Sequence, residues 1–126
     1  LATKLIYPEK KVVAVVGDGG FMMNSQELET AIRLNLNVVI VILNDQAFQM
    51  IRWKQANEGY EEYGMKFTNP DFKKYAESYG AIGHTAHSPD EFKEILATAL
   101  DTPGVHVIDT AIDYSHNAES LIAKEA

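Results

Sequence analysis

Three short apolar runs along the chain predict buried strands. They cover residues 12–16 (VVAVV), residues 38–43 (VVIVIL) and, more weakly, residues 105–110 (VHVIDT). Continuous runs of this length, rich in β-branched side chains, are typical of strands that are buried on both faces of a parallel sheet. The hydrophobic pattern therefore predicts a mostly parallel sheet.

Helical periodicity occupies the interval between the first two runs. Residues 25–34 place apolar side chains on one stripe, and Ser25 is a suitable N-cap for that helix. A helix in this position completes a strand–helix–strand unit, whose crossover is almost always right-handed. The expected fold class is therefore α/β, a three-layer α/β/α sandwich.

Further helices are predicted after the second strand. One begins near Asn69 and ends at Gly80, and another begins at the capping residue Ser88 and ends before Pro103. A weaker helix is predicted for residues 47–57. These helices supply the outer layers of the sandwich.

Composition and charge exclude several classes of function. The net charge of −7 and the scattered basic residues argue against a nucleic-acid partner. No apolar run approaches the length of a membrane helix, no secretory signal is visible, and there is no cysteine, so we expect a cytoplasmic protein without membrane association. The histidines have no metal-ligand spacing and are expected to be ordinary surface or partly buried residues. They are His84, His87, His106 and His116.

Two polar segments directly follow the first two predicted strands. Gly17-Asp18-Gly19-Gly20 follows the first, and Asn44-Asp45 follows the second. Ligands of open parallel sheets bind outside the carboxyl ends of the strands, so both segments face one crevice if the strands are neighbours. Two carboxylates at one rim repel each other unless a cation joins them, and Mg²⁺ prefers such oxygen ligands. Taken alone, each segment is also compatible with an ordinary turn or helix cap.

The spacing of these segments resembles a motif of thiamine-diphosphate enzymes: Gly-Asp-Gly, about two dozen residues, then Asn-Asn or a variant of it. The stretch VVAVVGDGGFMMNSQELETAIRLNLNVVIVILNDQAF is similar to the diphosphate-binding domain of these enzymes, as are FQMIRWKQ, NPDFKKYAESYGA and IDYSHN. The closest resemblance is to acetolactate synthases of the catabolic type, which share the Asn-Asp form. On this basis residues 1–117 are expected to form a partial thiamine-diphosphate- and magnesium-binding domain, and residues 118–126 a tail.

The resemblance implies a set of site residues. Asp18, Asp45 and the backbone carbonyl of Ala47 would be the metal ligands, with diphosphate oxygens and water completing an octahedron. Other residues would lend N–H groups or contacts to the cofactor, and none would be catalytic in the strict sense. The implied cofactor-binding residues are Gly17, Asp18, Gly19, Gly20, Asp45, Ala47, Phe48, Gln49 and Met50.

The resemblance also implies an activity and partners. The parent enzyme would decarboxylate pyruvate and ligate it to a second 2-oxoacid, giving 2-acetolactate. Ile51 supports this, because simple decarboxylases of the family tend to place Glu at this position. The parent would be a homo-oligomer in which a neighbouring subunit's pyrimidine-binding domain activates the cofactor. This chain would be a fragment that enters its domain midway and is inactive alone. The alternatives are the same domain of a 2-oxoacid decarboxylase or pyruvate oxidase, or an inactive orphan fragment.

Overall fold

Four parallel strands form a single sheet in the order β1-β2-β4-β3 in the computed structural model, which describes residues 1–114. The tail predicted for residues 118–126 therefore lies outside the described residues. The strands are β1 Val13–Gly17, β2 Val38–Asn44, β3 Ile82–Ala86 and β4 Val105–Ala111. The helices are α1 Ala2–Ile6, α2 Asp18–Met23, α3 Glu27–Arg33, α4 Gln49–Asn57, α5 Phe72–Ser78 and α6 Pro89–Asp101.

Helices cover both faces of the sheet, which confirms the predicted three-layer α/β/α sandwich. On one face, a buried cluster joins α3 and α5 to the sheet through residues such as Leu28, Phe72 and Val107. On the other face, α6 packs Ala99 against Val41 and its neighbours in the sheet. Within residues 1–114, no helix combines the length and the apolar character that crossing a bilayer requires.

The predicted strands are present with small shifts in their ends, but the sequence pattern missed β3. Its sequence, IGHTA, has no apolar run, and only Ala86 is buried. β3 occupies an edge of the sheet and pairs with β4 alone, so it does not need two apolar faces.

The expectation that the first strand is buried on both faces is wrong for the part of the chain that the structure describes. β1 is the other edge strand, and α6 packs mainly against β2, β4 and β3. Val13 and Val15 are consequently 41% and 61% exposed.

The segment between β1 and β2 contains two short helices in place of the single predicted one. α2 begins at Asp18, inside the glycine motif, and α3 begins at Glu27. Ser25 is not the N-cap, because its hydroxyl is hydrogen-bonded to the Tyr75 hydroxyl at 2.8 Å. Phe21 of α2 packs its ring edge-on against Phe72, which anchors this helix to the core.

The later helices begin close to their predicted caps. Ser88 accepts a hydrogen bond from the Glu91 backbone N–H at 3.2 Å and caps α6 as expected. Asp71 caps α5 through the Lys74 N–H, and Gly80 follows with a positive φ of 85°. Glycine adopts this left-handed conformation without strain, and the chain can turn from α5 into β3.

Two of the histidines form a stacked pair in which His106 is buried and His84 is partly buried, so the expectation of a surface or partly buried residue is wrong for His106. This residue is only 2% exposed, and its ring stacks on that of His84 at 5.4 Å. His106 Nε2 lies 3.1 Å from the Thr102 carbonyl oxygen, and its Nδ1 lies 3.1 Å from His84 Nε2. Because the carbonyl can only accept, His106 donates from Nε2 and accepts from His84 at Nδ1.

Candidate functional site

Asp18 is a buried carboxylate at the point where β1 passes into α2. It is 1% exposed, and its Oδ2 accepts three hydrogen bonds. The donors are the backbone N–H groups of Asp45 (3.3 Å) and Gln46 (2.7 Å) and the side-chain amide of Asn69 (2.6 Å). Oδ1 accepts from the Gly19 N–H at 2.8 Å. The carboxylate is therefore held in one orientation and joins the ends of the first two strands.

Asp45 lies beside Asp18 on the loop that leaves β2. Gln46 adopts a positive φ of 57°, so the backbone turns sharply after Asp45. One carboxylate oxygen of Asp45, Oδ1, accepts from the Ala47 N–H at 3.3 Å. The other, Oδ2, is buried without a hydrogen-bond partner among the described residues. A buried, unpaired oxygen is costly and calls for a ligand that can satisfy it.

The surroundings of Asp45 disfavour its negative charge. Burial raises the pKa of Asp45 above its ordinary value, and the neighbouring Asp18 raises it further, while the hydrogen bond from Ala47 opposes the shift. The phenol of Tyr114 has a raised pKa for the same reasons, namely burial and the charges of Asp45 and Asp18. A divalent cation between the carboxylates would offset this accumulated negative charge.

A polar network behind the carboxylates was not predicted from the sequence. Asn69, which had been assigned only to a helix start, donates to both Asp18 and Asn44. Asn44 donates in turn to Asp109 of β4 at 2.9 Å. Burial raises the pKa of Asp109, whereas its hydrogen bond from Asn44 acts in the opposite direction. These residues are far apart in sequence. Asn69 opens the stretch NPDFKKYAESYGA and Asp109 lies in the third apolar run, but neither is among the site residues expected from the sequence.

A cavity of about 230 Å³ opens over the carboxylates at the carboxyl ends of β1 and β2. Every cofactor-binding residue expected from the sequence lies on its wall, together with Ile51 and Leu43. Tyr114 also lines the cavity, and the only sequence signal for it was its place in the IDYSHN motif. The structure therefore brings the whole predicted set together around one opening.

Three of the expected backbone donors are already engaged. The Ala47 N–H donates to Asp45 Oδ1. The Phe48 N–H donates to the Met65 carbonyl at 2.9 Å, and the Gly19 N–H donates to Asp18. Phe48 instead contributes its ring, which packs at 4.8 Å from the ring of Phe67. Of the expected N–H groups or contacts, Phe48 is therefore left with a contact through its ring, and the Gly19 N–H supports the Asp18 carboxylate.

The donor set fits a hard divalent cation that is completed by a ligand. Within residues 1–114, no cluster of three or more His, Cys, Asp or Glu side chains is arranged to hold a metal by itself. Asp18 and Asp45 are two oxygen donors, and Ala47 lies on the same cavity wall. Mg²⁺ commonly binds through one or two carboxylates together with substrate phosphates and water.

Comparisons with known proteins identify a matching family and several relatives. Residues 1–110 match the family described as "Thiamine pyrophosphate enzyme, C-terminal TPP binding domain". The chain is 38% identical over 117 residues to an acetolactate synthase of Bacillus subtilis, which covers 93% of the chain and 20% of that protein. It is 38% identical over 113 residues to a catabolic acetolactate synthase of Raoultella terrigena, which covers 90% of the chain and 20% of that protein. It is also 38% identical over 117 residues to a probable acetolactate synthase large subunit of Methanococcus aeolicus, which covers 91% of the chain and 20% of that protein.

Proposed function

The chain belongs to the C-terminal thiamine-pyrophosphate-binding domain family of thiamine pyrophosphate enzymes, and from this premise we propose that its cavity holds the cofactor's diphosphate through Mg²⁺ bound by Asp18 and Asp45. Thiamine pyrophosphate and thiamine diphosphate are the same compound. In this proposal the Ala47 carbonyl is the third protein ligand. The remaining coordination positions belong to diphosphate oxygens and water.

The unpaired Oδ2 of Asp45 is the observation that carries this proposal. It is buried beside a second carboxylate, and both burial and that neighbour oppose its negative charge. Bound Mg²⁺ would supply the missing partner and offset the repulsion between the carboxylates. Asp18 and Asp45 would thereby hold a cation on the cavity side, to which diphosphate oxygens could bind.

The other cavity residues position the cofactor. Gly20 and Gln49 lie on the wall, where backbone groups can approach the diphosphate. Met50 and Ile51 are 63% and 50% exposed at the start of α4 and give this part of the cavity an apolar surface. When bound, thiamine diphosphate supplies the carbanion stabilisation needed for decarboxylation of a 2-oxoacid. This chain's residues anchor and orient it.

We further propose that the whole protein is an acetolactate synthase that joins pyruvate to a second 2-oxoacid. The chain spans about 20% of the length of the curated relatives it matches. The apolar Ile51 supports the proposal, because it provides no acid to protonate a reacting carbon before the second 2-oxoacid adds. A homo-oligomer in which a neighbouring subunit's pyrimidine-binding domain completes the site is part of the same proposal.

Calorimetry of the chain tests the binding site. Thiamine diphosphate is titrated into the chain with Mg²⁺ and, separately, with EDTA, and thiamine without phosphate serves as the ligand control. We expect thiamine diphosphate to bind in the presence of Mg²⁺ and not in EDTA, and we expect thiamine to bind in neither condition. Asp45→Asn should weaken the binding of thiamine diphosphate, whereas Asp101→Asn, at an exposed ion pair with Lys11, should not. Binding that does not depend on Mg²⁺, or equal loss in both variants, would contradict the proposed site.

Product analysis of the full-length protein with pyruvate tests the proposed reaction. We expect 2-acetolactate as the main product. Acetaldehyde would instead identify a decarboxylase, and acetyl phosphate or acetate formed with consumption of an oxidant would identify an oxidase. No turnover by the full-length protein would favour a domain without catalytic activity.

A further inference from the structure

A directional chain of side-chain hydrogen bonds runs from β4 to the carboxylate of Asp18. Asp109 Oδ1 accepts from Asn44 Nδ2 at 2.9 Å, and Asn44 Oδ1 accepts from Asn69 Nδ2 at 2.9 Å. The same Asn69 nitrogen donates to Asp18 Oδ2 at 2.6 Å. This series of hydrogen bonds thus begins and ends at a carboxylate, with two amides between them.

The direction of this chain follows from the chemistry of its ends. An asparagine amide has nearly the same shape after a flip, so its neighbours decide which atom faces which way. In its ionised form Asp109 offers only acceptors, so it faces the Asn44 nitrogen, and the Asn44 oxygen faces Asn69. Asn69 must then turn its nitrogen toward both Asn44 and Asp18.

Asn69 has an unsatisfied polar atom in this arrangement. Its Oδ1 is buried without a hydrogen-bond partner among residues 1–114. An isolated Asn69 would lower its energy by directing that oxygen toward a donor. Its orientation is therefore imposed by the acceptors on either side.

We propose that Asp109 is a positioning residue for the metal-binding carboxylate: it sets the orientation of Asn44 and Asn69 and through them holds Asp18 in a single orientation. The consequence for Mg²⁺ rests on the proposed function, whereas the orienting effect itself does not. Asp109 lies on β4, which pairs with β2 along its whole length, so the sheet fixes the position of Asp109. Asn69 lies on the segment between α4 and α5, outside the sheet, and in this proposal its orientation depends on Asp109 through Asn44.

Two substitutions at one position separate hydrogen-bond acceptance from bulk. Asp109→Asn keeps an oxygen that can accept from Asn44, whereas Asp109→Leu keeps the number and branching of the side-chain heavy atoms but has no acceptor. Amide hydrogen exchange by NMR is measured at Gln46, whose N–H donates to Asp18 Oδ2. The Asn69 side-chain amide resonances are recorded in the same spectra. Mn²⁺ affinity is measured by electron paramagnetic resonance with thiamine diphosphate present.

The proposal predicts a split between the two variants. In Asp109→Leu, the Gln46 amide should exchange about tenfold faster and the Asn69 side-chain resonances should shift. The variant should also bind Mn²⁺ about tenfold more weakly. A tenfold effect corresponds to one lost hydrogen bond of moderate strength. Asp109→Asn should stay within about twofold of the parent chain in both measurements. If Asp109→Leu does not fold, Asp109→Ala replaces it.

Different results overturn different parts of the account. A folded Asp109→Leu or Asp109→Ala variant with unchanged Gln46 exchange and unchanged Asn69 resonances would refute the orienting role. Equal loss in Asp109→Asn and Asp109→Leu would also refute it, because the accepting oxygen would not be what matters. A parent chain that binds no Mn²⁺ would refute the proposed function, and the exchange comparison alone would then decide the role of Asp109.

Discussion

The two adjacent glycines of α2 provide a matched test of how tightly the candidate site is packed. Both belong to the same short helix, so replacing either with Ala gains the same helix propensity, about 1 kcal/mol. Their surroundings differ. A Cβ on Gly19 would lie 2.5 Å from Cε1 of Phe48 and 3.1 Å from Cζ of Phe67, whereas a Cβ on Gly20 would meet nothing within 4 Å.

The expected difference follows from these contacts. Overpacking of a well-packed site costs about 1–3 kcal/mol, and the Phe48 ring cannot move freely because it packs on Phe67. Because the propensity gain cancels in the comparison, Gly19→Ala should be about 1–3 kcal/mol less stable than Gly20→Ala. With a urea m-value of about 1–3 kcal/mol per M, their unfolding midpoints should differ by roughly 1 M.

Urea unfolding followed by circular dichroism measures this difference. A second substitution, Phe48→Leu, removes the ring edge that the new methyl group would strike. In that background the gap between the two alanine variants should shrink. Equal midpoints for Gly19→Ala and Gly20→Ala, or a gap that does not respond to Phe48→Leu, would show that the site is not packed as described.

Three further predictions concern charge and capping. Burial, His106 and Lys73 lower the pKa of His84 below 6.5, so the unfolded chain binds its proton more readily. The contribution of neutral His84 to the free energy of unfolding is therefore complete above about pH 6.5 and is lost as the pH falls. Urea unfolding at pH 5.5 and 7.5 should show a smaller pH dependence in His84→Gln than in the parent chain, and an unchanged slope would be evidence against this assignment. Asp45→Asn should raise stability in EDTA, because it removes a desolvated charge beside another carboxylate, and weaken Mn²⁺ binding with thiamine diphosphate. Lower stability in EDTA would contradict the repulsion. Ser88→Ala should destabilise the chain by about 1 kcal/mol through loss of the α6 cap, whereas a change below about 0.3 kcal/mol would mean that the cap is not formed in solution.

The sequence predicted the fold well wherever local pattern and tertiary context agree. β2 and β4 have apolar runs because helices cover both of their faces, and Ser88 caps α6 with local chemistry alone. α2 was missed because two glycines among six residues weigh against a helix. Packing of Phe21 against Phe72, which is remote in sequence, offsets that penalty.

The candidate site was predictable only as far as it lies in consecutive residues. The Gly17-Asp18-Gly19-Gly20 and Asn44-Asp45 segments follow strands that the pattern revealed, so their convergence could be inferred. Asn69 is 51 residues from Asp18, and a lone Asn before Pro reads equally well as a turn. Asp109 is one of several polar residues of β4, beside His106 and Thr110, and nothing local shows that it faces Asn44. Such contacts depend on the sheet order, which places β4 beside β2.

The central claim is that Asp18 and Asp45 share one divalent cation beneath the cofactor's diphosphate. Crystals of the chain grown with Mn²⁺ and thiamine diphosphate test this most directly, because anomalous scattering locates Mn²⁺ independently of the protein coordinates. The account predicts one strong peak within bonding distance, about 2.1 Å as for Mg²⁺, of a carboxylate oxygen from each residue. Diphosphate density should lie on its open side. A cofactor bound with the metal elsewhere, or with either carboxylate outside its coordination shell, would contradict the account.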